Sequence, residues 1–184
     1  MITAAPFWTA VALLGATLGA AASGPEPVVS VRERGGAYTV VASFRVPGTP
    51  LVAREVLTDY ANIARFMPGV EKSQVRARSE GLVHVEQEAV SKYMMFSKRV
   101  HLLLEVQEGP DVIRFRDRCN RSFEHYEGAW TIAAREDATE IGYELTARPA
   151  FGVPGFVIRR LLERDARAMI DGLRAEIAAR AHPL

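Results

Sequence analysis

One cysteine, Cys119, is all that the 184 residues carry. A single thiol excludes an intramolecular disulfide framework and any cysteine-built metal cluster, and a lone cysteine is ordinarily a small buried apolar residue. An excess of one charge is equally absent. There are 23 Lys and Arg against 22 Asp and Glu, for a formal net charge of +1. With no basic block and no interleaving of basic and aromatic residues, the chain lacks the electrostatic footprint of a nucleic-acid binder. His84, His101, His125 and His182 are scattered, so their spacing points to no metal site. Metal-binding HExxH, nucleophile-elbow GxSxG, phosphate-loop and dinucleotide fingerprints are all missing. No metal and no organic cofactor is expected.

Long hydrophobic runs are missing too, with one exception. Residues 7–22 are apolar and small, and Ala20-Ala21-Ala22 supplies a small-x-small pattern before Ser23. This resembles a secretory signal peptide, although no Lys or Arg precedes the run. The run is short for a membrane span, and Gly15 and Gly19 weaken it further. The expected organisation is a cleaved signal over residues 1–22, a linker over 23–27 and one domain over 28–184. That makes the protein periplasmic or secreted; the alternative is anchoring by an uncleaved N-terminal segment.

What the rest contains is period. Residues 28–46 read as strand, with a turn at Gly35-Gly36. Thr49 and Pro50 open a short helix, and a second passes through Ile63 and Phe66 before Met67-Pro68-Gly69 ends it. From Val70 the period is two. Strands are expected at residues 70–78, 82–90, 96–107, 112–119, 122–134 and 140–148, joined by hairpin-length breaks, hence an antiparallel meander. One face collects Val83, Val85, Gln87 and Ala89; Val100, Leu102, Leu104 and Val106; Ile113, Phe115 and Asp117; Tyr126, Gly128, Trp130 and Ile132; and Ile141, Tyr143, Leu145 and Ala147.

Such a one-faced sheet needs a cover, and only the helix expected over residues 153–181 is long enough. Its apolar arc holds Ile158, Leu161, Leu162, Ala168, Met169 and Leu173, with Pro154 in the first turn. Two residues in that arc are out of character. Gly172 costs about 1 kcal/mol against Ala in a helix interior, so it marks close approach by another backbone or a ligand. Asp165 falls between Leu161, Leu162 and Met169, where a charge requires a partner.

This order of elements resembles the helix-grip fold of the START and polyketide-cyclase/dehydrase (SRPBCC) superfamily, nearest its coenzyme Q-binding START-like group. The resemblance is carried by Val56-Leu57-Thr58-Asp59-Tyr60 with Phe66-x-Pro68-Gly69-Val70, by Phe123-x-x-Tyr126-x-Gly128-x-Trp130, and by Pro149-x-Phe151-x-x-Pro154 ahead of Arg164-Asp165. It implies an α+β fold: a curved antiparallel sheet of about seven strands wrapped around the C-terminal helix, two short helices after the first strand, and a cavity between sheet and helix. Members bind lipids, sterols, quinones or polyketides there, and some are cyclases or hydrolases. An export segment departs from the typical intracellular quinone binders.

The expected function is therefore non-catalytic binding or transport of a hydrophobic small molecule. Expected ligand contacts are Phe66, Gln87, Phe96, Phe115, Tyr126, Trp130, Tyr143, Asp165 and Met169. One alternative is a cyclase, dehydratase or hydrolase, with Asp165, Asp117 or Tyr126 as acid or base. The other is a ligand-free accessory module of a membrane enzyme. Tyr93, Met94, Met95 and Phe96, flanked by Lys92, Lys98 and Arg99, are the expected site of transient membrane contact. Phe151, Val153 and Phe156 form a candidate second lip.

Overall fold

The computed structural model describes residues 26–93 and 95–182. Residues 1–25, where a signal segment is expected, Met94, and the side chains of Tyr93 and Phe96 lie outside the described residues. The chain runs β1 (Val28–Arg34), β2 (Ala37–Val46), α1 (Pro50–Leu57), α2 (Ile63–Phe66), β3 (Val70–Ser79), β4 (Leu82–Tyr93), β5 (Phe96–Glu108), β6 (Val112–Asp117), β7 (Phe123–Ala134), β8 (Thr139–Pro149) and α3 (Gly155–Ala181). The strands form one antiparallel sheet in the order β1-β2-β8-β7-β6-β5-β4-β3. This is the helix-grip arrangement. The strand count is eight because the Gly35-Gly36 turn divides the first stretch in two. Both glycines have positive φ, 58° and 81°, as a two-residue hairpin turn of this hand demands.

Element ends follow from local chemistry. Thr49 is the N-cap of α1 with Pro50 just inside it, although the threonine side chain makes no capping bond. β4 continues to Tyr93, which pairs directly with Phe96, so the β4–β5 connection is tighter than the break at residues 91–95 implies. β6 stops at Asp117 because that carboxylate gathers the turn that follows. Oδ1 accepts from the backbone N–H of Leu103 at 2.9 Å and of Cys119 at 3.2 Å, and Oδ2 from that of Asn120 at 2.9 Å. Helix α3 begins two residues later than its apolar period indicates, with Pro154 as N-cap rather than inside the first turn.

The inward face is the expected one. Val40, Val83, Val85, Ile113, Ile141 and Ala147 are almost fully buried. The buried stripe of α3 is Val157, Ile158, Leu161, Ala166, Ile170, Leu173 and Ile177. Burying a Val, Leu or Ile contributes about 1.5–3 kcal/mol. The Glu163–Arg167 pair on the outer side of α3, at 3.5 Å, contributes only a few tenths of a kcal/mol, so packing rather than surface charge holds the helix. Its C-terminal end is clamped by Arg180, which reaches both Asp59 and Glu176 at 2.7 Å. Burial opposes ionisation of Asp59, but hydrogen bonds from Arg180 and Asn62 and the charge of Arg180 outweigh it and hold the carboxyl below its usual range.

Gly172 is explained by α2. A Cβ there would collide with the Phe66 carbonyl oxygen and lie 3.1 Å from Pro68 Cδ. The glycine lets the backbone of the α2 turn sit directly on α3. Gly172→Ala gains about 1 kcal/mol of helix propensity but overpacks a backbone contact, at about 1–3 kcal/mol or more. The expected outcome is a net loss of stability in a urea melt of the purified domain. A gain in stability would mean that α2 does not rest on this turn of α3.

Candidate functional site

The concave face of the sheet is wider than α3, and space remains between them. An outer lobe of about 230 Å³ lies against the N-terminal half of α3 and is lined by Ile158, Leu161, Leu162, Asp165, Ala166 and Met169 on the helix side. The sheet contributes Val40, Gln87, Val100, Leu102, Phe123, Tyr126, Tyr143 and Leu145. An inner lobe of about 90 Å³ runs deeper, between Tyr60, Ile63, Leu104, Val106, Ile113, Phe115 and Trp130. Met67, Gln87, Tyr126, Tyr143 and Met169 line both lobes and form the waist between them.

The open side is set by burial. Pro68 and Gly69 are exposed, and Ser91, Lys98 and Asp165 are half-exposed, whereas the inner-lobe residues Leu104, Val106, Ile113, Phe115 and Trp130 are at most 9 % exposed. The mouth therefore lies between the ends of β4 and β5, the turn before β3, the loop after β8 and the first half of α3. Two contacts cross it. Ser91 Oγ on β4 donates to Asp165 Oδ2 on α3. Lys98 Nζ on β5 sits 4.5 Å from the centre of the Phe151 ring.

The expected site residues divide accordingly. Gln87, Tyr126, Tyr143 and Met169 stand at the waist, Phe115 and Trp130 wall the inner lobe, and Asp165 is at the mouth. Asp165 is not buried among leucines: its side chain is 42 % exposed and paired with the neighbouring Arg164 at 2.6 Å. Phe66 lines neither lobe; it packs on the core from α2, turned aside by the close seat of its carbonyl on Gly172. Asp117 shares the inward face yet also lines neither lobe, because the turn after β6 takes both its oxygens. Phe96 belongs to β5 and its side chain lies outside the described residues. Gly128 carries no bulge; a Cβ there would collide with the Glu144 carbonyl oxygen on β8 and lie 2.6 Å from the Phe115 ring, so the glycine makes room for the neighbouring strand and that ring. Ser91, Lys98 and Met67 were not anticipated. Ser91 and Lys98 follow from extending by one step the parity of Gln87-Ala89 and of Val100-Leu102. Met67 lies outside any period.

The polar groups inside are neutral. Trp130 packs on Tyr143 with ring centres 4.3 Å apart, and Phe115 lies 6.0 Å from Tyr126. Burial pushes the Tyr126 phenol up to about 12, partly opposed by a hydrogen bond from Tyr143. Burial, reinforced by Tyr126, raises Tyr143 well above the usual phenol value. Gln87 Nε2 donates to Ser73 Oγ at 3.3 Å. The Tyr60 hydroxyl is buried with no partner in hydrogen-bonding geometry; burial, and then the charge of Glu108, keep it protonated. Among the described residues no cluster of His, Cys, Asp and Glu is placed to hold a metal ion. Inward of Lys98 and Asp165 at the mouth, the lining offers apolar contact and neutral hydrogen-bonding groups.

Known proteins share this arrangement. Residues 37–178 match the family described as polyketide cyclase/dehydrase and lipid transport. Among curated proteins none matches. A solved protein from Thermus thermophilus is 21% identical, with a TM-score of 0.65 over 78% of this chain and 99% of that one. The Zhui aromatase/cyclase of a Streptomyces species is 15% identical, with a TM-score of 0.68 over 80% and 97%. A STAR-related lipid transfer protein of Xanthomonas axonopodis is 15% identical, with a TM-score of 0.59 over 81% and 98%. At these identities the likeness is one of fold.

The phenols give a pH prediction with a definite sign. Tyr126 and Tyr143 have folded pKa values above the unfolded value near 10. Their contribution to stability is complete below pH 10 and is lost as pH rises toward the folded values. Alkaline melts should show stability falling above pH 10, with a shallower fall in Tyr126→Phe. An identical alkaline slope in that variant would place the phenol in water.

Proposed function

The chain belongs to the polyketide cyclase/dehydrase and lipid transport family, whose members are hydrophobic-ligand binders or polyketide cyclase-type proteins, and from that membership we propose that it carries a hydrophobic small molecule in the cavity between sheet and α3 without transforming it. The observation that carries this reading is the character of the lining. Apolar side chains surround neutral phenols and an amide already engaged with Ser73. Ligand cavities of this kind are mostly apolar, with a few placed polar groups that fix orientation. General acid–base chemistry needs a group whose pKa lies near the working pH. Tyr126 and Tyr143 are held far above that range, Asp117 is committed to backbone N–H groups, and Asp165 is paired at the surface.

The proposal extends to place and access. Residues 1–22 direct export, and the carrier works outside the cytoplasm. Met95, at the tip of the β4–β5 hairpin, is 88 % exposed, and Phe156 at the start of α3 is 68 % exposed. Both belong to elements that frame the mouth. Exposed apolar tips flanked by Lys92, Arg159 and Arg160 suit brief contact with an anionic bilayer. No helix among the described residues is long and apolar enough to cross a membrane.

The test is mass spectrometry on protein produced with its N-terminal segment in a bacterial host and purified from the periplasm without detergent. The expected result is an intact mass beginning at Ser23 and a stoichiometric apolar molecule in the organic extract. Catalytic turnover of an aromatic or polyketide-like compound, lost in Tyr126→Phe, would replace this reading with the cyclase-type one.

A further inference from the structure

We propose that the cavity takes a single-chain carboxylate amphiphile of medium length, its head at Lys98 and its chain running inward past the waist. This rests on the carrier reading and specifies its ligand. Three observations carry it.

The first is volume. A cavity of about 150 Å³ accommodates benzene, or roughly 25 Å³ per carbon. The outer lobe of about 230 Å³ then holds about nine carbons and the inner lobe of about 90 Å³ three or four more, on the same scale. A two-chain membrane lipid does not fit within the lobes.

The second is shape. The lobes adjoin along a shared wall, the waist, to which Met67, Met169, Gln87, Tyr126 and Tyr143 contribute. A flexible chain passes from one lobe to the other with small side-chain shifts in that wall, whereas a fused-ring body stops in the outer lobe. Unbranched methionine side chains shift readily to let a chain pass.

The third is charge. The ionic groups lining the outer lobe are Lys98 and Asp165. Asp165 is engaged by Ser91 and by Arg164. Lys98 makes no ion pair among the described residues; its ammonium rests on the Phe151 ring at the mouth. Lys98, Arg164 and Asp165 together leave one positive charge there. The lining of the inner lobe carries no ionic side chain. An anion therefore belongs at the mouth and its apolar body inside, and the neutral donors along the path impose no demand for a second charge.

The experiment is titration calorimetry at pH 8 and low ionic strength, on the mature protein freed of any extractable ligand. Decanoate, hexadecanoate and decanol are compared, all below their aggregation limits. Expected are one decanoate per chain, hexadecanoate bound at least about tenfold more weakly, and a Lys98→Gln variant that loses about tenfold for decanoate, the scale of one charge-assisted contact, while binding decanol as before. Lys72→Gln, on β3 and outside both linings, is expected to leave decanoate binding unchanged. Unaltered decanoate affinity in Lys98→Gln, or decanol binding without decanoate binding, would overturn the proposed ligand and leave the carrier reading standing. Hexadecanoate binding more tightly than decanoate would overturn the volume argument. Binding of none of the three would remove both the ligand and the carrier reading.

Discussion

A sheet of eight strands presents more apolar width on one face than a single helix can cover. At about 4.8 Å between neighbours, eight strands span roughly 34 Å, and an α-helix with its side chains is about 10–12 Å across. Curvature brings the edges of the sheet toward α3 but cannot close the gap. The fold answers the mismatch twice. Near the C-terminal half of α3 the short helices plug it: Phe66 and Pro68 press onto Gly172, and Asp59 clamps Arg180. Near the N-terminal half nothing is inserted, and the cavity remains.

That asymmetry decides where chemistry can happen. Large aromatic side chains reduce the remaining space, with Trp130 against Tyr143 and Phe115 against the flat surface left by Gly128. They divide it into two lobes instead of filling it. The hydroxyls they bring are kept protonated by burial, so the interior stays neutral. Charge is confined to the rim, where water screens Asp165 and Arg164 and where Lys98 leans on an aromatic ring. A carboxylate taken inside would need a partner that the walls do not supply, which is why Asp117 turns to the backbone and Asp165 to the surface.

Most of the architecture was legible in the sequence because period two and period 3.6 are statements about faces. The six meander strands, the short-helix pair and α3 follow from alternation and from the Gly and Pro breaks, and the inward parity of Val83, Val100, Ile113, Tyr126 and Ile141 holds along each strand. The cavity is less legible. Parity says that Asp117 and Gln87 face inward, but not that the turn after β6 takes Asp117 while Gln87 stays at the waist. The helical wheel puts Asp165 in the apolar arc, whereas the buried stripe runs through Ile158, Ala166 and Ile170 and leaves Asp165 on its flank. Phe66 looks like a cavity aromatic until the contact of its carbonyl with Gly172 is known. These outcomes depend on which neighbours arrive from distant parts of the chain.

The central claim is that the space between sheet and α3 admits an apolar molecule. Methionines report on it directly, since Met67 and Met169 line the waist and Met95 lies on the exposed hairpin tip. The measurement is carbon-13 methyl NMR of the purified protein, labelled at methionine and titrated with decanol. The Met67 and Met169 resonances are expected to shift in a saturable one-to-one titration. Shifts confined to Met95, or none at all, would contradict the claim.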